Sequence, residues 1–345
     1  MSVTLEDNKR TAIAVKLADM EATQNLLIAN DRALIEACHD REISNRLENF
    51  LKDDEKNLGI INTVIVQYGI KAEPKLTVQK MIEKATEFME NSELSLFEKV
   101  AEHELLKHSQ TMAGLLIHKA GQVVGADIAV AITPLNIVNF ENRAHQEQLK
   151  GIMEVLSTKE LTGQEADQGL WGRVQDAVAA VSGIAGGLIT HTDSEIGVCD
   201  LIRLDHTKVT ALFKQIQNST DPAKLEECFG QLYKDLSAHA EAEEQVVYPA
   251  VRQYYNDVQD LYDEQAEMKL ALEQIKEMDP TNVDQFKTAI VALMNAVNEH
   301  VEEEENDMFP RIKSNLGNEQ EKRLATEFKA CKSKIQDKCL AEQTK

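Results

Sequence analysis

The first half of the chain carries apolar residues at the spacing of an α-helix. Between residues 41 and 69 they recur mostly at three- and four-residue steps, which places them on one face of a helix. These positions are Ile43, Leu47, Phe50, Leu51, Leu58, Ile61 and Ile65. Comparable patterns predict helices over 9–37, 41–69, 78–91, 94–131 and 135–158, with breaks near Pro74 and Pro134. The sequence therefore predicts a wholly helical N-terminal bundle over residues 1–160.

The second half has the same periodicity and clearer helix starts. Asp221 precedes Pro222, a capping residue followed by proline at the first helical position, and Thr281 or Asn282 is placed to cap a later helix. The predicted helices cover 200–217, 223–255, 257–278, 282–314 and 317–340. Short loops between helices of this length favour antiparallel neighbours, so residues 199–345 are predicted to form an up-and-down bundle with a C-terminal tail helix.

Residues 161–198 differ in composition from both bundles. Turn-prone runs flank a Gly-containing segment, which predicts a linker with its own helix. The apolar stretch at 174–189 is shorter than the ~20 apolar residues needed to cross a bilayer. It would suit a homodimer contact or packing within the chain, and both readings stay open.

Composition and charge narrow the class of protein. Of the 345 residues only 15 are Gly and 6 are Pro, and aromatics make up 5%, which favours an all-α fold of two helical bundles over a large sheet. Five widely spaced cysteines without a CxxC pattern predict reduced thiols and a cytoplasmic location. A formal net charge of −22 repels phosphate backbones and anionic membrane surfaces, so we expect neither nucleic acid nor a membrane as partner.

One short pattern occurs twice in the second half. Position 239 begins HAEAEEQVVYP and position 300 begins HVEEEENDMFP, so His239 precedes Glu243 as His300 precedes Glu304. Four residues turn a helix by ~400°, so each imidazole lies on the same face as its carboxylate, one turn away. Isolated pairs of this kind are commonly surface salt bridges, but two copies with matching flanks indicate a shared site. Two such helices side by side can build a two-metal site in a bundle core.

An aromatic residue and a proline follow each repeat. Because proline removes a backbone donor and clashes within a helix, we expect each pair to end or kink its helix and to pack near the bundle end. These residues are Tyr248, Pro249, Phe309 and Pro310.

His206, on the preceding predicted helix, extends the repeats to three imidazoles and two carboxylates. Nitrogen and carboxylate oxygen donors suit Fe, Mn and Zn, and the absence of thiolate disfavours softer metals. The two glutamates are well placed to bridge two ions, with the histidines as terminal ligands. Such a set leaves coordination positions for water, O₂, NO or peroxide.

The run LDHTKV, followed by HxxxEExxxYP and HxxxEExxxFP, resembles the hemerythrin-like, HHE cation-binding domain family over residues 199–315. The resemblance implies a four-helix bundle that holds a non-haem di-iron centre. It implies terminal ligands at His206, His239 and His300 and bridging carboxylates at Glu243 and Glu304.

The third predicted helix of this bundle departs from the family pattern. The family usually carries a histidine where this chain has Gln265, in DEQAEMK. Either Gln265 serves as a weaker ligand, or Glu264 or Glu267 takes its place, or that iron stays under-coordinated and exchangeable. The departure favours sensing, iron handling, or peroxide or NO chemistry over reversible O₂ transport.

The N-terminal half has a weaker resemblance, to ferritin-like bundles, which carry Glu and His pairs on long helices. The candidate groups are Glu36 with His39, Glu104 with His108, Glu141 with His145, and Asp54 and Glu55. Ordinary helix salt bridges account for Glu104/His108 and Glu141/His145 better than a second metal site does. His103 and His118 are expected to be surface or structural residues.

These observations lead to three hypotheses. In the first, the protein is a non-haem di-iron protein, with Mn or Zn as alternative metals, that binds O₂, NO or peroxide or holds exchangeable iron for sensing, storage or stress protection. In the second, the same centre belongs to a redox enzyme that reduces peroxide or NO. In the third, the chain is a metal-free helical interaction protein whose His–Glu pairs are structural.

Overall fold

The computed structural model describes residues 5–164 and 196–343, with side chains over 8–164 and 196–337. All regular structure in these residues is helical, which confirms the predicted all-α class. The predicted linker helix and the apolar segment 174–189 lie outside the described residues. No helix in the described residues is both long enough and apolar enough to cross a bilayer.

The helix bounds lie close to those predicted. The first half contains α1 (Leu5–Ala37), α2 (Arg41–Tyr68), α3 (Leu76–Glu90), α4 (Leu96–Val124), α5 (Ala126–Ala131) and α6 (Leu135–Thr162). The second half contains α7 (Val198–Asn218), α8 (Pro222–Ala242), α9 (Tyr248–Val251), α10 (Val258–Lys276), α11 (Val283–Glu303), α12 (Phe309–Asn315) and α13 (Asn318–Gln343). Two π-helical turns, Glu243–Val247 and Glu304–Met308, join α8 to α9 and α11 to α12.

Gly125 divides the single helix predicted over 94–131. Its backbone is extended, with φ −176°, and a Cβ atom there would lie 2.6 Å from a carboxylate oxygen of Asp127. Asp127 accepts a hydrogen bond from Arg10 at 2.8 Å, and Arg10 also pairs with Glu227 of the second half. The break therefore turns α5 toward α7 and positions a buried ion-pair network between the two halves.

The long helices of the first half, α1, α2, α4 and α6, pack into a bundle with two apolar layers. One layer includes Leu17, Ile61 and Val138, and the other includes Leu47 and Leu149. Between them lie many fully or nearly buried polar side chains, over residues 23–31, 54–57, 103–111 and 139–146, beside a smaller apolar cluster that includes Leu26, Leu27 and Leu106. A buried polar layer is costly unless its groups are paired, so it marks the part of this bundle where chemistry is to be sought.

In the second half, α7, α8, α10 and α11 surround two apolar clusters, one at each end of the bundle. Leu201, Tyr248 and Phe309 belong to one, and Phe213 and Phe286 belong to the other. Polar residues of the HxxxE repeats lie between these clusters and are also buried. The apolar ends hold the helices together while excluding water from the centre.

The tail helix α13 packs against α7, α8 and α2, so it contacts both halves. Lys71 of the first half donates to Ser333 Oγ at 2.7 Å, and Gln336 donates to the carbonyl of Val66 at 2.9 Å. Lys208 of α7 completes the junction by donating to the carbonyl of Gln67 at 2.7 Å. The tail is thus an integral part of the junction.

Candidate metal centre

The two repeats bring their imidazoles and carboxylates together as their spacing predicts. His239 Nε2 lies 3.2 Å from Glu243 Oε2, and His300 Nε2 lies 3.4 Å from Glu304 Oε1. His206 of α7 approaches the other oxygen of Glu304, with its Nε2 3.3 Å away. One donor atom from each of His206, His239, Glu243 and Glu304 lies within 4.8 Å of the others. Glu304 thus lies between the imidazoles of His206 and His300.

Each repeat's glutamate begins a π-helical turn. The backbone N–H of Tyr248 bonds to the carbonyl of Glu243, and that of Phe309 bonds to the carbonyl of Glu304, five residues back in both cases. The prolines that follow have no N–H to donate and crowd the preceding turn, which favours the wider turn. The predicted disruption at the aromatic–Pro pairs takes the form of a π-helical turn beside each carboxylate, and the helical segments that follow, α9 and α12, are 4 and 7 residues long.

The three histidines share one hydrogen-bonding arrangement. Nδ1 of His206 lies 2.8 Å from Glu305, that of His239 lies 3.0 Å from Asp205, and that of His300 lies 2.6 Å from Glu264. In each, Nδ1 faces an outer carboxylate and Nε2 faces the centre of the bundle. A carboxylate behind the imidazole fixes the tautomer that presents the Nε2 lone pair to a metal, as second-shell carboxylates do in metalloproteins. All three imidazoles thus have the same orientation, with a carboxylate at Nδ1 and Nε2 toward the centre of the bundle.

Lys332 reaches this arrangement from the tail helix. Its ammonium pairs with Asp205, whose other oxygen accepts from His239, and Lys332 is only 2% exposed. No local motif in the sequence marks this residue, because it lies 127 positions from its partner. The ammonium of Lys332 reaches Asp205 only because the tail helix packs against this bundle.

Tyr248 and Gln265 connect the two carboxylates. Tyr248 Oη donates to Glu304 Oε1 at 2.8 Å, and Gln265 Nε2 donates to Glu243 Oε2 at 2.8 Å and contacts Tyr248 Oη at 2.7 Å. The expected packing role of Tyr248 is thus extended by its hydroxyl, which touches the site. Of the three alternatives on this helix, Gln265 is buried at the centre, and Glu264 lies behind His300. The structure does not bring Glu267 to the cluster, because its side chain is exposed.

The protonation of the cluster reflects its burial. Burial and the neighbouring Glu304 raise the pKa of Glu243 well above its usual value. Burial also opposes ionisation of Glu304, but His300 and His206 lower its pKa below the usual range. Burial would lower the pKa of His206, yet Glu304 and Glu305 raise it to about 9. Metal binding requires neutral imidazole and ionised carboxylate, so a cation would displace these protons.

The donor set fits a metal. Glu243 Oε1 and Gln265 Oε1 have no hydrogen-bonding partner, His206 Nε2 and Glu304 Oε2 have the 3.3 Å contact with each other, and all four side chains are at least nine-tenths buried. Buried polar atoms are nearly always paired, so convergent unpaired donors require an explanation such as an ion. Nitrogen and oxygen donors of this kind suit Fe, Mn and Zn.

A small cavity of about 30 Å³ adjoins the cluster. Beside the three histidines and Gln265 it is lined mainly by aliphatic and thioether side chains, among them Val209, Leu236, Met268, Leu272 and Val297. The volume of this cavity is enough for roughly one or two molecules of the size of water, and its wall is mainly apolar.

The pairs predicted in the first half do not form a site as such. Glu36 and His39 are exposed, as is His108, whereas His145 is buried and contacts Lys107 at 3.0 Å. The expectation for His103 is refined: it is fully buried, with Asp31 and Asp54 beside it. Burial raises the pKa of Asp31 to about 6 and lowers that of His103 to about 3, so this imidazole is neutral at pH 7. A single histidine on a helix gives no sequence signal of such a position.

Glu55 and His118 lie outside that buried group. Glu55 is exposed and pairs with Arg32 at 2.8 Å, and His118 is half-buried. Asp54, on the same helix as Glu55, points inward and is fully buried.

Residues 198–312 match the sequence model of the hemerythrin family, described as the hemerythrin HHE cation binding domain. The second bundle is therefore a cation-binding domain of this class, which confirms the resemblance found in the repeats. Over its whole length the chain is 56% identical to a Nostoc sp. protein named DNA nickase, with 100% of this chain and 99% of that protein covered. At this identity and coverage, the chain belongs to the same protein family as that relative.

A second relative matches a smaller part of the chain. An uncharacterised hemerythrin-like protein of Schizosaccharomyces pombe is 26% identical over 143 residues, which cover 39% of this chain and 68% of that protein. No solved structure matches the chain significantly. The ferritin-like resemblance of the first half and the assignment of individual ligands stay predictions.

Proposed function

We propose that this protein holds a non-haem di-iron centre in its second bundle and uses it to bind O₂, NO or a peroxide or to hold exchangeable iron, in sensing, storage or stress protection. The observation that supports the proposal is the shared arrangement of three imidazoles, each with Nε2 toward the centre and Nδ1 on an outer carboxylate. Two buried glutamates lie between them, and Glu243 Oε1 has no hydrogen-bonding partner. Bundle proteins hold metal pairs with inward carboxylates and histidines of this kind.

The site residues would have different roles in holding the metal ions. His206, His239 and His300 would be terminal ligands, and Glu243 and Glu304 would bridge the two ions. When bound, a non-haem iron pair supplies binding and redox chemistry toward small oxygen- and nitrogen-containing ligands. Gln265 and Tyr248 would orient the bridging carboxylates through the hydrogen bonds that connect them.

The small cavity supports a diatomic or similarly small ligand. About 30 Å³ of space borders all three histidines, and its remaining wall is mostly apolar. A mostly apolar wall admits uncharged O₂, NO or hydrogen peroxide at little desolvation cost. Cys38, Cys199 and Cys228 are free thiols, which supports a cytoplasmic location for such a protein.

The test is the absorption spectrum of the iron-loaded protein before and after O₂, NO or peroxide is added. We expect ligand-dependent bands that are absent from Glu304→Gln, which keeps the shape of the side chain, and retained in Glu302→Gln, whose side chain is exposed on the same helix. Identical spectra in the two variants would contradict the assignment. Turnover of peroxide or NO faster than by free iron would favour the redox enzyme over the sensor.

A second candidate function comes from the relative named DNA nickase, which is 56% identical over essentially its whole length. Two properties of this chain oppose a nucleic-acid partner. Its formal net charge is −22, and the clustered ligands are at most 8% exposed, so a duplex cannot reach the centre of the bundle as it stands.

Conversion of supercoiled plasmid to open circles by metal-loaded protein is the direct test of this second candidate. Nicking that persists in Glu302→Gln and is lost in Glu304→Gln would establish the nickase activity and link it to the metal centre. Nicking that persists in both would place the activity elsewhere on the chain. If nicking does not exceed that of the metal salt alone, the nickase function is contradicted and the small-ligand function is the one that remains.

A further inference from the structure

The polar layer of the first bundle contains a second group of buried donors. Asp31 of α1, Asp54 of α2 and His103 of α4 each offer one ligand atom within 4.8 Å of the other two. All three side chains are fully buried, and His103 Nε2 lies 3.0 Å from Asp31 Oδ1. Three neighbouring helices thus point two carboxylates and an imidazole at one place, between two apolar layers.

The hydrogen bonds within the layer leave these donors incomplete. Oδ2 of Asp31, Oδ1 of Asp54 and Nδ1 of His103 have no hydrogen-bonding partner, and Asp31 Oδ1 and His103 Nε2 have the 3.0 Å contact with each other. One turn further along, Asn57 and Asn142 are also fully buried, and neither side-chain atom of either residue has a partner. Since buried polar atoms are nearly always paired, a layer with this many unpaired donors and acceptors calls for a ligand.

The charges of the layer point to a cation. Lys107 supplies one ammonium, which pairs with Asp54 Oδ2 and lies 3.0 Å from His145 Nδ1. His145 in turn faces Asp53 through its Nε2 at 3.3 Å. Lys107 pairs directly with Asp54, whereas Asp31 has no cation paired to it in the described residues and lies against the neutral imidazole of His103 and the carboxylate of Asp54. An uncompensated buried carboxylate is costly, and a bound cation removes that cost.

We propose that Asp31, Asp54 and His103 bind a first-row divalent cation, in a site separate from the centre of the second bundle. Two carboxylate oxygens and one imidazole nitrogen suit Mn²⁺, Fe²⁺ or Zn²⁺. Lys107 holds the second oxygen of Asp54 away from the ion and so fixes that carboxylate in a one-oxygen mode. The proposal does not depend on the small-ligand function, because the two sites share no residue.

The experiment measures Mn²⁺ bound per chain of the full-length protein after equilibration with the metal and removal of free ions. Glu304→Gln disables the second-bundle site, and Asp31→Asn alters the first-bundle site without changing its shape. We expect Glu304→Gln to retain about one Mn²⁺ and the double variant to retain none. His108→Ala, an exposed substitution on the helix that carries His103, should retain as much Mn²⁺ as the protein into which it is introduced.

Equal Mn²⁺ content in Glu304→Gln and in the double variant would overturn the proposal and leave the layer as a metal-free ionic core. If only the second-bundle centre does not bind metal, the result is different. Glu304→Gln would then hold as much Mn²⁺ as the wild type, while Asp31→Asn would still lose an ion. Anomalous diffraction from Mn²⁺-soaked crystals of Glu304→Gln needs no change in the first bundle. A peak between the three side chains supports the site, and its absence refutes it even if Asp31→Asn fails to fold.

Discussion

The tail helix should stabilise the protein through one buried ion pair, which Lys332→Gln removes. Lys332 is 2% exposed and pairs with Asp205, which is itself buried and bonded to His239 at 3.0 Å. Removing one partner of a buried pair costs about 3–5 kcal/mol, and because Asp205 keeps His239 we expect a loss at the lower end, about 3 kcal/mol. Urea unfolding of the metal-free protein, followed by circular dichroism, measures this loss.

Lys334→Gln is the matched control, because Lys334 is exposed on the same helix and should change the free energy of unfolding by no more than about 0.5 kcal/mol. Although burial opposes its ionisation, Lys332 and His239 lower the pKa of Asp205 below its usual value. A lowered carboxyl pKa stabilises the fold above the unfolded value of about 4, and this is lost as the pH falls further. The difference in the free energy of unfolding between the wild type and Lys332→Gln should therefore be largest at pH 7 and decrease below about pH 4. Equal losses in the two lysine variants would refute the reasoning.

Four further substitutions test other parts of the structure. Gln265→His should tighten metal retention against a chelator by about 10-fold or more if this side chain faces the ions, and unchanged retention would exclude it as a neighbour of the metal. Tyr248→Phe removes the hydroxyl that donates to Glu304 and should lower the free energy of unfolding by about 1–3 kcal/mol in urea titrations, and no change would show that the bond is absent in solution. Gly69→Ala should destabilise the protein by more than about 1 kcal/mol, because φ is +82° and a Cβ there would lie 2.6 Å from a carboxylate oxygen. Gly230→Ala, in open space within a helix, should stabilise the protein by up to about 1 kcal/mol. A higher melting temperature for Gly69→Ala than for Gly230→Ala would contradict both predictions.

The helices could be predicted because their signals are local. Apolar spacing and capping residues act within a few positions, and Asp221 and Ser95 cap the helices that follow them. The same holds for the pairs His239/Glu243 and His300/Glu304, whose members lie one helical turn apart. What the spacing could not show was the π-helical turn at each glutamate, because proline in a helix predicts a break as readily as a wider turn.

The outer partners of the histidines could be predicted only in part. Asp205 adjoins His206 in sequence but supports His239, and Glu305 follows Glu304 but supports His206, so in both cases the partner belongs to a different helix. Lys332 reaches the site across the whole second half. Such contacts depend on how helices pack against each other, and no periodicity within one helix encodes them.

The buried polar layer of the first half was missed for a related reason. His103 and Asp31 have no metal-ligand spacing within their own helices, while the pairs that do, such as Glu36 and His39, are exposed. A site built from one residue per helix leaves no short motif. Only the placement of helices from residues far apart in the chain makes these side chains neighbours.

The most direct test of the central claim is the iron content per chain of the wild type, Glu304→Gln and Glu302→Gln, expressed with iron and purified without chelator. If Glu304 bridges two ions between His206 and His300, the wild type and Glu302→Gln should hold about two more irons per chain than Glu304→Gln. Equal iron content in all three proteins would contradict a metal centre built on the two repeats.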